Sequence, residues 1–157
     1  MPIREGEKIP AVTVKTTDMK NITTEQLFGG KKVVIFAVPG AFTPTCSEQH
    51  LPGYVKHAEA IRAKGVDEIL CVSVNDAFVM GAWGKDRGAE GKVKMIADGN
   101  GDFAKALGLD FDGSGIGFGV RSQRYAAIVE NGVVKKLFVE QPMKFEVSSA
   151  EAVLKAL

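Results

Sequence analysis

The stretch Pro39-Gly40-Ala41-Phe42-Thr43-Pro44-Thr45-Cys46 delivers a single thiol just behind a Thr-Pro pair. Proline is best tolerated at the first position of a helix and threonine at the cap before it. Thr43 is therefore the expected N-cap, Pro44 the first helical residue and Cys46 the third. A thiol in a first turn faces unpaired backbone N–H groups and the positive end of the helix dipole, and both favour thiolate over thiol. A free cysteine titrates near about 8.5, and a helix N-terminus with a nearby cation lowers that by several units. Nucleophilic chemistry is expected of Cys46. The competing reading is a small buried residue that happens to follow a cap. Cap, first-turn position and the apolar run before it agree on the nucleophile.

Other residues with chemical potential read more plainly. Cys71 lies mid-run in "ILCVSV" between Leu70 and Val72. There it is expected to be an apolar, un-ionised core residue, against the alternative of a resolving thiol. His50 follows Cys46 by one helical turn. It could form a Cys-His pair, but nothing in the sequence marks an Asn or Asp to orient it, so a structural or pocket-edge role is expected. Glu48 suits a helix-dipole partner. "DGSGIGFGVRS" runs towards a strand, whereas a dinucleotide loop opens a helix, so it is expected to be a flexible loop. "DGNGDF" has Asp98, Asn100 and Asp102 at calcium-loop spacing, but Phe103 and Leu109 occupy the places that need Gly and Glu. No metal site is expected.

Composition narrows the class. The chain has 157 residues, 45% hydrophobic and 25% charged, enough for one domain over residues 1–157 with its own core. The 20 Lys and Arg against 19 Asp and Glu are scattered, which argues against nucleic acid as a partner. No apolar run approaches bilayer length, so no membrane association is expected. "MPIREGEKIPAVTV" carries neither a signal-peptide core nor an Arg/Ser-rich amphipathic stretch, and a cytoplasmic location is expected; a longer precursor trimmed here would read the same. The 2 cysteines suit a reducing compartment.

Period and punctuation then supply the elements that must position Cys46. An extended segment near Ala11 to Lys15 and a short helix from Thr24 to Phe28 precede "VVIFAV", a continuous apolar strand covered on both faces. A helix from Pro44 to about Lys64 follows, kinked by Pro52 and stopped by Gly65. "ILCVSV" with a helix near Asp76 to Lys85, and "VKMIAD" with a helix from Asp102 to Leu107, repeat the pattern. Asn131-Gly132 inside "RYAAIVENGVVKKLFV" is a strong hairpin signal. A last helix opens at Ser148 or Ser149, with Glu151 at capping-box spacing from Ser148. This order predicts an α/β, thioredoxin-like fold: a central mixed β-sheet flanked by helices, with N-terminal additions.

The segment Pro39 to Cys46 matches the Pro-x-x-x-Thr-x-x-Cys signature of the peroxiredoxins, and "PGAFTPTCSEQHLPGYV" resembles the type II, or peroxiredoxin-5, subfamily. The likeness continues through "ILCVSVNDAFVMGAWGK", "ADGNGDFAKALGL" and "GFGVRSQRYAAIVENGVV". It implies a thiol peroxidase that reduces hydrogen peroxide and alkyl hydroperoxides through a sulfenic acid at Cys46, in antioxidant defence. In that case Cys46 resembles the peroxidatic cysteine and Thr43 the hydroxyl partner of its sulfur. Pro39 resembles the residue that shields the pocket and Arg124 the arginine that completes the site. By position alone either Arg121 or Arg124 could be an exposed charge beside a strand, and Arg121 is expected to stand behind Arg124. No metal or organic cofactor is implied. Some members carry a resolving cysteine near the last helix, where this chain has "VSSAEAVL". An external thiol, glutathione, glutaredoxin or thioredoxin, is then expected to reduce Cys46.

The resemblance also implies a homodimer without an intersubunit disulfide. Phe42, Phe78, Trp83, Phe111, Ile116 and Phe118 are the apolar residues expected around the site that a partner would cover; the competing reading is that they fill one monomer's core, and core or interface packing is the expectation for Phe78 and Trp83. A redox-sensing or chaperone-like binding protein is the alternative from another class. A thioredoxin-type disulfide oxidoreductase is weakened by the missing second active-site cysteine, and a cysteine hydrolase by the lack of an oriented histidine.

Overall fold

The computed structural model describes residues 2–157. A continuous apolar run, buried on both faces, makes β3 (Lys32–Ala37) an interior strand of a seven-stranded sheet. It pairs in parallel with β4 (Glu68–Ser73), which pairs in parallel with β5 (Lys94–Ala97). On its other side it pairs antiparallel with β8 (Tyr125–Glu130), followed by β9 (Val133–Val139). β1 (Thr13–Thr16) and β2 (Asn21–Thr23) complete the far edge, in the order β2-β1-β5-β4-β3-β8-β9. Asn131 and Gly132 take φ of 48° and 78°, the double positive angle that the β8–β9 turn demands.

Two apolar layers sandwich the sheet. On one face Val34, Phe36 and Cys71 meet Leu51, Tyr54 and Ile61 of α2 (Leu51–Arg62), Met80 and Trp83 of α3 (Ala77–Asp86), and Val153 of α5 (Ala150–Ala156). On the other, Val33, Ile35 and Leu70 meet Leu27 and Phe28 of α1 (Thr24–Phe28) and Phe103 and Leu107 of α4 (Asp102–Leu107). The expected helices and main strands are all present, within a residue or two at most ends.

Three local expectations need correction. The kink expected at Pro52 takes the form of a π turn over Cys46–His50, in which the Leu51 N–H donates to the Cys46 carbonyl. Pro52 has no N–H to give the Glu48 carbonyl and its ring would crowd that oxygen, and the wider turn relieves both. The glycine-rich stretch expected to be a loop closes a small sheet of β6 (Asp110–Asp112) and β7 (Val120–Ser122), with a 3₁₀ turn at Ser114–Ile116 between them. The last helix is capped by Ser149, whose hydroxyl accepts from the Ala152 N–H, and no Ser148–Glu151 capping box forms. The Ser148 hydroxyl is taken instead by Glu140.

Candidate active site

The chain leaves β3 at its carboxyl end and must reverse into a helix within a few residues. Phe42 takes a φ of 63°, a left-handed conformation uncommon for a non-glycine residue, and its ring is left 52% exposed. Gly40 sits so close to Arg121 and Thr43 that a Cβ there would lie 3.1 Å from Arg121 Nη1 and 3.2 Å from Thr43 Cγ2. The turn is tied down by the Ala41 N–H, which donates to Asn75 Oδ1 at 3.0 Å, and by Arg121 Nη1, which donates to the Pro39 carbonyl at 3.3 Å. Arg121 also donates to the Phe118 and Val74 carbonyls, so it braces three segments around the turn.

The first i→i+4 bond of the helix runs from the Ser47 N–H to the Thr43 carbonyl at 2.9 Å. The N–H groups of Thr45 and Cys46 precede it and have no intrahelical acceptor, while Pro44 has none to place. Thr43 thus begins the helix with its backbone, but its hydroxyl does not reach the sulfur. It donates to the Gly40 carbonyl at 2.6 Å, which leaves the oxygen's lone pairs to accept from a ligand.

Cys46 is fully buried. Arg124, just before β8, donates from Nη2 to its Sγ at 3.1 Å and from Nη1 to His50 Nδ1 at 2.8 Å. The other ring nitrogen of His50, Nε2, donates to the Ser148 carbonyl at 3.0 Å, and Tyr54 donates its hydroxyl to the same oxygen at 2.8 Å. Desolvation by burial and then the Arg124 charge press the His50 pKa down to about 3. A neutral ring with its proton on Nε2 therefore presents a lone pair to Arg124 and cannot serve as a proton acceptor for the thiol. His50 belongs to the site as the holder of Arg124, the structural one of the two roles, structural or pocket-edge, expected from sequence. Glu48 is exposed on the helix surface.

The two thiols are both buried and free. Cys71 lies opposite Phe36 in the β3–β4 ladder, and burial, followed by the nearness of Cys46, pushes its thiol well above the usual range. Trp83, for which core or interface packing was the expectation, is fully buried and donates its indole N–H to Ser47 Oγ at 2.9 Å, next to Cys46. Phe42, Phe78 and Ile116 are exposed, and Phe111 and Phe118 are half-buried.

Sequence reasoning missed the segment from Glu140 to Ser149, which closes over His50. Phe145 packs its ring 4.9 Å from that of His50, with the Arg124 guanidinium carbon 5.8 Å above it. A carboxylate closing an apolar strand in "FVEQP" was the available signal. Among the described residues no group of three or more His, Cys, Asp or Glu side chains is placed to hold a metal, and no helix is long and apolar enough to cross a membrane.

The arrangement holds a thiol in a cationic niche beside free N–H donors, which suits attack on one atom of an O–O bond whose other oxygen leaves with negative charge. Comparison with known proteins agrees with that chemistry. The family model described as Redoxin matches residues 4–154. The chloroplastic peroxiredoxin-2E of Arabidopsis thaliana is 50% identical over 162 residues, covering 99% of this chain and 69% of that one. The reduced Prx3 of Vibrio vulnificus, solved in complex with H2O2, is 57% identical, with a TM-score of 0.95 over 99% of both chains. The antioxidant protein of Plasmodium falciparum, a 1-Cys peroxiredoxin, is 33% identical with a TM-score of 0.92 over 98% of both. With its thioredoxin-like sheet and a thiol at the start of α2, this chain belongs to the redoxin family, among the type II, peroxiredoxin-5-like peroxiredoxins, enzymes that use a thiol to reduce peroxides.

Proposed function

We propose that Cys46 is the peroxidatic thiol of a single-cysteine cycle that reduces hydrogen peroxide and alkyl hydroperoxides and is recycled by an external thiol. The observation that carries this reading is the 3.1 Å approach of Arg124 Nη2 to Cys46 Sγ, with Cys71 sealed in the sheet. Arginine stays protonated and stabilises a thiolate without competing for its proton. The thiolate attacks the distal oxygen of ROOH, a sulfur–oxygen bond forms, and the oxygen–oxygen bond breaks. The departing RO⁻ takes a proton and leaves as alcohol, or as water when R is hydrogen. The Thr45 and Cys46 N–H groups and the Arg124 guanidinium are the donors for oxygen as charge develops. The Thr43 oxygen accepts the peroxide hydrogen, and Pro39, half-buried at the turn, shields the niche from water.

The Cys46 sulfenic acid is then attacked by an external thiol such as glutathione, glutaredoxin or thioredoxin. Water departs and a mixed disulfide forms; a second thiol attacks its outer sulfur and returns the Cys46 thiolate. The burial and raised pKa of Cys71 support an external thiol over an internal one, as does the name of the Plasmodium falciparum relative. A homodimer without a disulfide is part of the reading. Phe42, Phe78 and Ile116, exposed at 52%, 71% and 70%, are the apolar residues a second copy would cover. The cytoplasm is the location proposed, on the reduced state that both thiols need.

Peroxide consumption followed with glutathione and glutaredoxin, and separately with thioredoxin and its reductase, tests the cycle. Sustained turnover with at least one system and a Cys46-linked mixed disulfide in the mass spectrum are expected. One stoichiometric round of Cys46 oxidation without turnover would favour a redox sensor instead. Sedimentation of the reduced protein at micromolar concentration is expected to give a dimer, and a monomer throughout would remove that part of the reading.

A further inference from the structure

Arg124 sits in a closed ring of hydrogen bonds that leaves from its main chain and returns to its side chain. Its carbonyl accepts from the Glu140 N–H at 3.0 Å, one residue past the end of β9. The Glu140 carboxylate, in a residue 7% exposed, accepts through Oε2 from the Glu146 N–H at 2.7 Å, the Ser148 N–H at 2.9 Å and the Ser148 hydroxyl at 2.7 Å. Ser148 is thereby held on its N–H side while its carbonyl receives His50 Nε2 and the Tyr54 hydroxyl. His50 Nδ1 then receives Arg124 Nη1, and Arg124 Nη2 donates to Cys46 Sγ.

We infer that Glu140 is a positioning residue for Cys46, its carboxylate fixing Ser148 so that His50 turns the Arg124 guanidinium onto the sulfur. The inference rests on the role proposed above for Arg124. An ionised acceptor is the strong choice for three donors on one oxygen, and a buried N–H left without it carries the full cost of desolvation. Burial works to raise the Glu140 pKa, but the hydrogen bonds from Ser148, Glu146 and Val147 outweigh it and hold the carboxyl below its usual range. Among the described residues no carboxylate lies within ion-pair distance of Arg124, so its direction depends on neutral His50.

The sign of the effect separates this role from others. A carboxylate acting through space disfavours a nearby thiolate, so its removal alone would ease ionisation of Cys46. Loss of the ring does the opposite, because Arg124 is no longer aimed at the sulfur. A part in global stability only would leave the titration where it was.

The test is the rate of iodoacetamide alkylation of Cys46 against pH, in a Cys71→Ser background that leaves one thiol, alongside thermal unfolding. Glu140→Ala is expected to move the profile about one pH unit upward, with roughly tenfold slower alkylation on its acidic limb. Glu140→Gln keeps an acceptor oxygen and is expected to coincide with the parent profile or lie slightly below it. Glu140→Asp keeps the charge but withdraws it from the three donors, and is expected to move upward; it serves where Glu140→Ala does not fold. In a His50→Gln background Glu140→Ala adds no further shift. An unmoved or downward profile in folded Glu140→Ala or Glu140→Asp overturns the inference. Alkylation needs no turnover, so this failure is distinct from that of the peroxidase cycle, which active Cys46→Ser protein would reveal.

Discussion

Cys46 and Cys71 share one apolar layer, and both are fully buried, yet their surroundings differ in kind. Cys71 stands mid-strand, where the backbone groups are used up in the β3–β4 and β4–β5 ladders. Cys46 stands where the backbone has just begun to form a helix, with unpaired N–H groups beside it and a guanidinium at 3.1 Å. Burial alone therefore does not distinguish a reactive thiol from an inert one. The difference lies in which donors the fold leaves unspent beside the sulfur, and burial amplifies whichever electrostatic environment it encloses.

The comparison breaks most sharply on exchange of either sulfur for oxygen. Cys46→Ser is expected to abolish peroxide reduction, measured as thiol-dependent peroxide loss, while Cys71→Ser largely keeps it. Cys71→Ser should lower stability by roughly 1–3 kcal/mol in denaturant unfolding, since it places a hydroxyl in an apolar layer. Near-normal turnover by Cys46→Ser would end the assignment.

Removing the cation makes the two thiols more alike. Arg124→Gln is expected to slow peroxide reduction by about 10²-fold or more, the scale for losing a preorganised donor at a developing oxyanion. Alkylation of Cys46 should move to higher pH in the same variant. An unchanged rate and profile would transfer the role to Arg121.

His50 gives the comparison a pH dependence. Its pKa falls from 6.5 to about 3 on folding, so between those values the native state binds fewer protons than the unfolded chain. The stability this provides is full above about 6.5 and is lost as the pH falls towards about 3, an effect on the order of a few kcal/mol. His50→Gln should flatten the fall of the melting temperature in the upper part of this window, above the range where carboxylates titrate. An equally steep fall in the variant would exclude His50 as its source. The smallest effect is expected from Trp83→Phe, which removes the indole N–H from Ser47 beside Cys46. It should cost about 1 kcal/mol in denaturant unfolding; no loss would mean that Ser47 finds another partner.

The elements of the fold were legible because their signals are local. Thr24 to Phe28, Asp102 to Leu107 and the Asn131-Gly132 turn all carry their own punctuation and appear where it placed them. The π turn was not legible in detail, although Pro52 marked its place, because a missing N–H can be relieved by a kink or by a wider turn. The β6–β7 hairpin was missed because each strand has only 3 residues, too few to show a period, and the segment between them is rich in glycine. Trp83 and Phe78 shared one expectation, core or interface, and only packing separates them: Trp83 is enclosed beside Ser47 and Phe78 is left exposed.

By itself, the sequence determined that a thiol would stand in the first turn behind β3, since cap, proline and strand act over a few residues and obey short-range sterics. Only the tertiary structure decided what that thiol meets. Arg124 reaches Cys46 across 78 positions of sequence, and the Ser148 carbonyl reaches His50 across 98. Both contacts depend on β8 lying against β3 and on the segment after β9 folding back over α2. Such contacts arise from the packing of whole elements, and no local preference of Arg124, His50 or Glu140 encodes the partner each one finds.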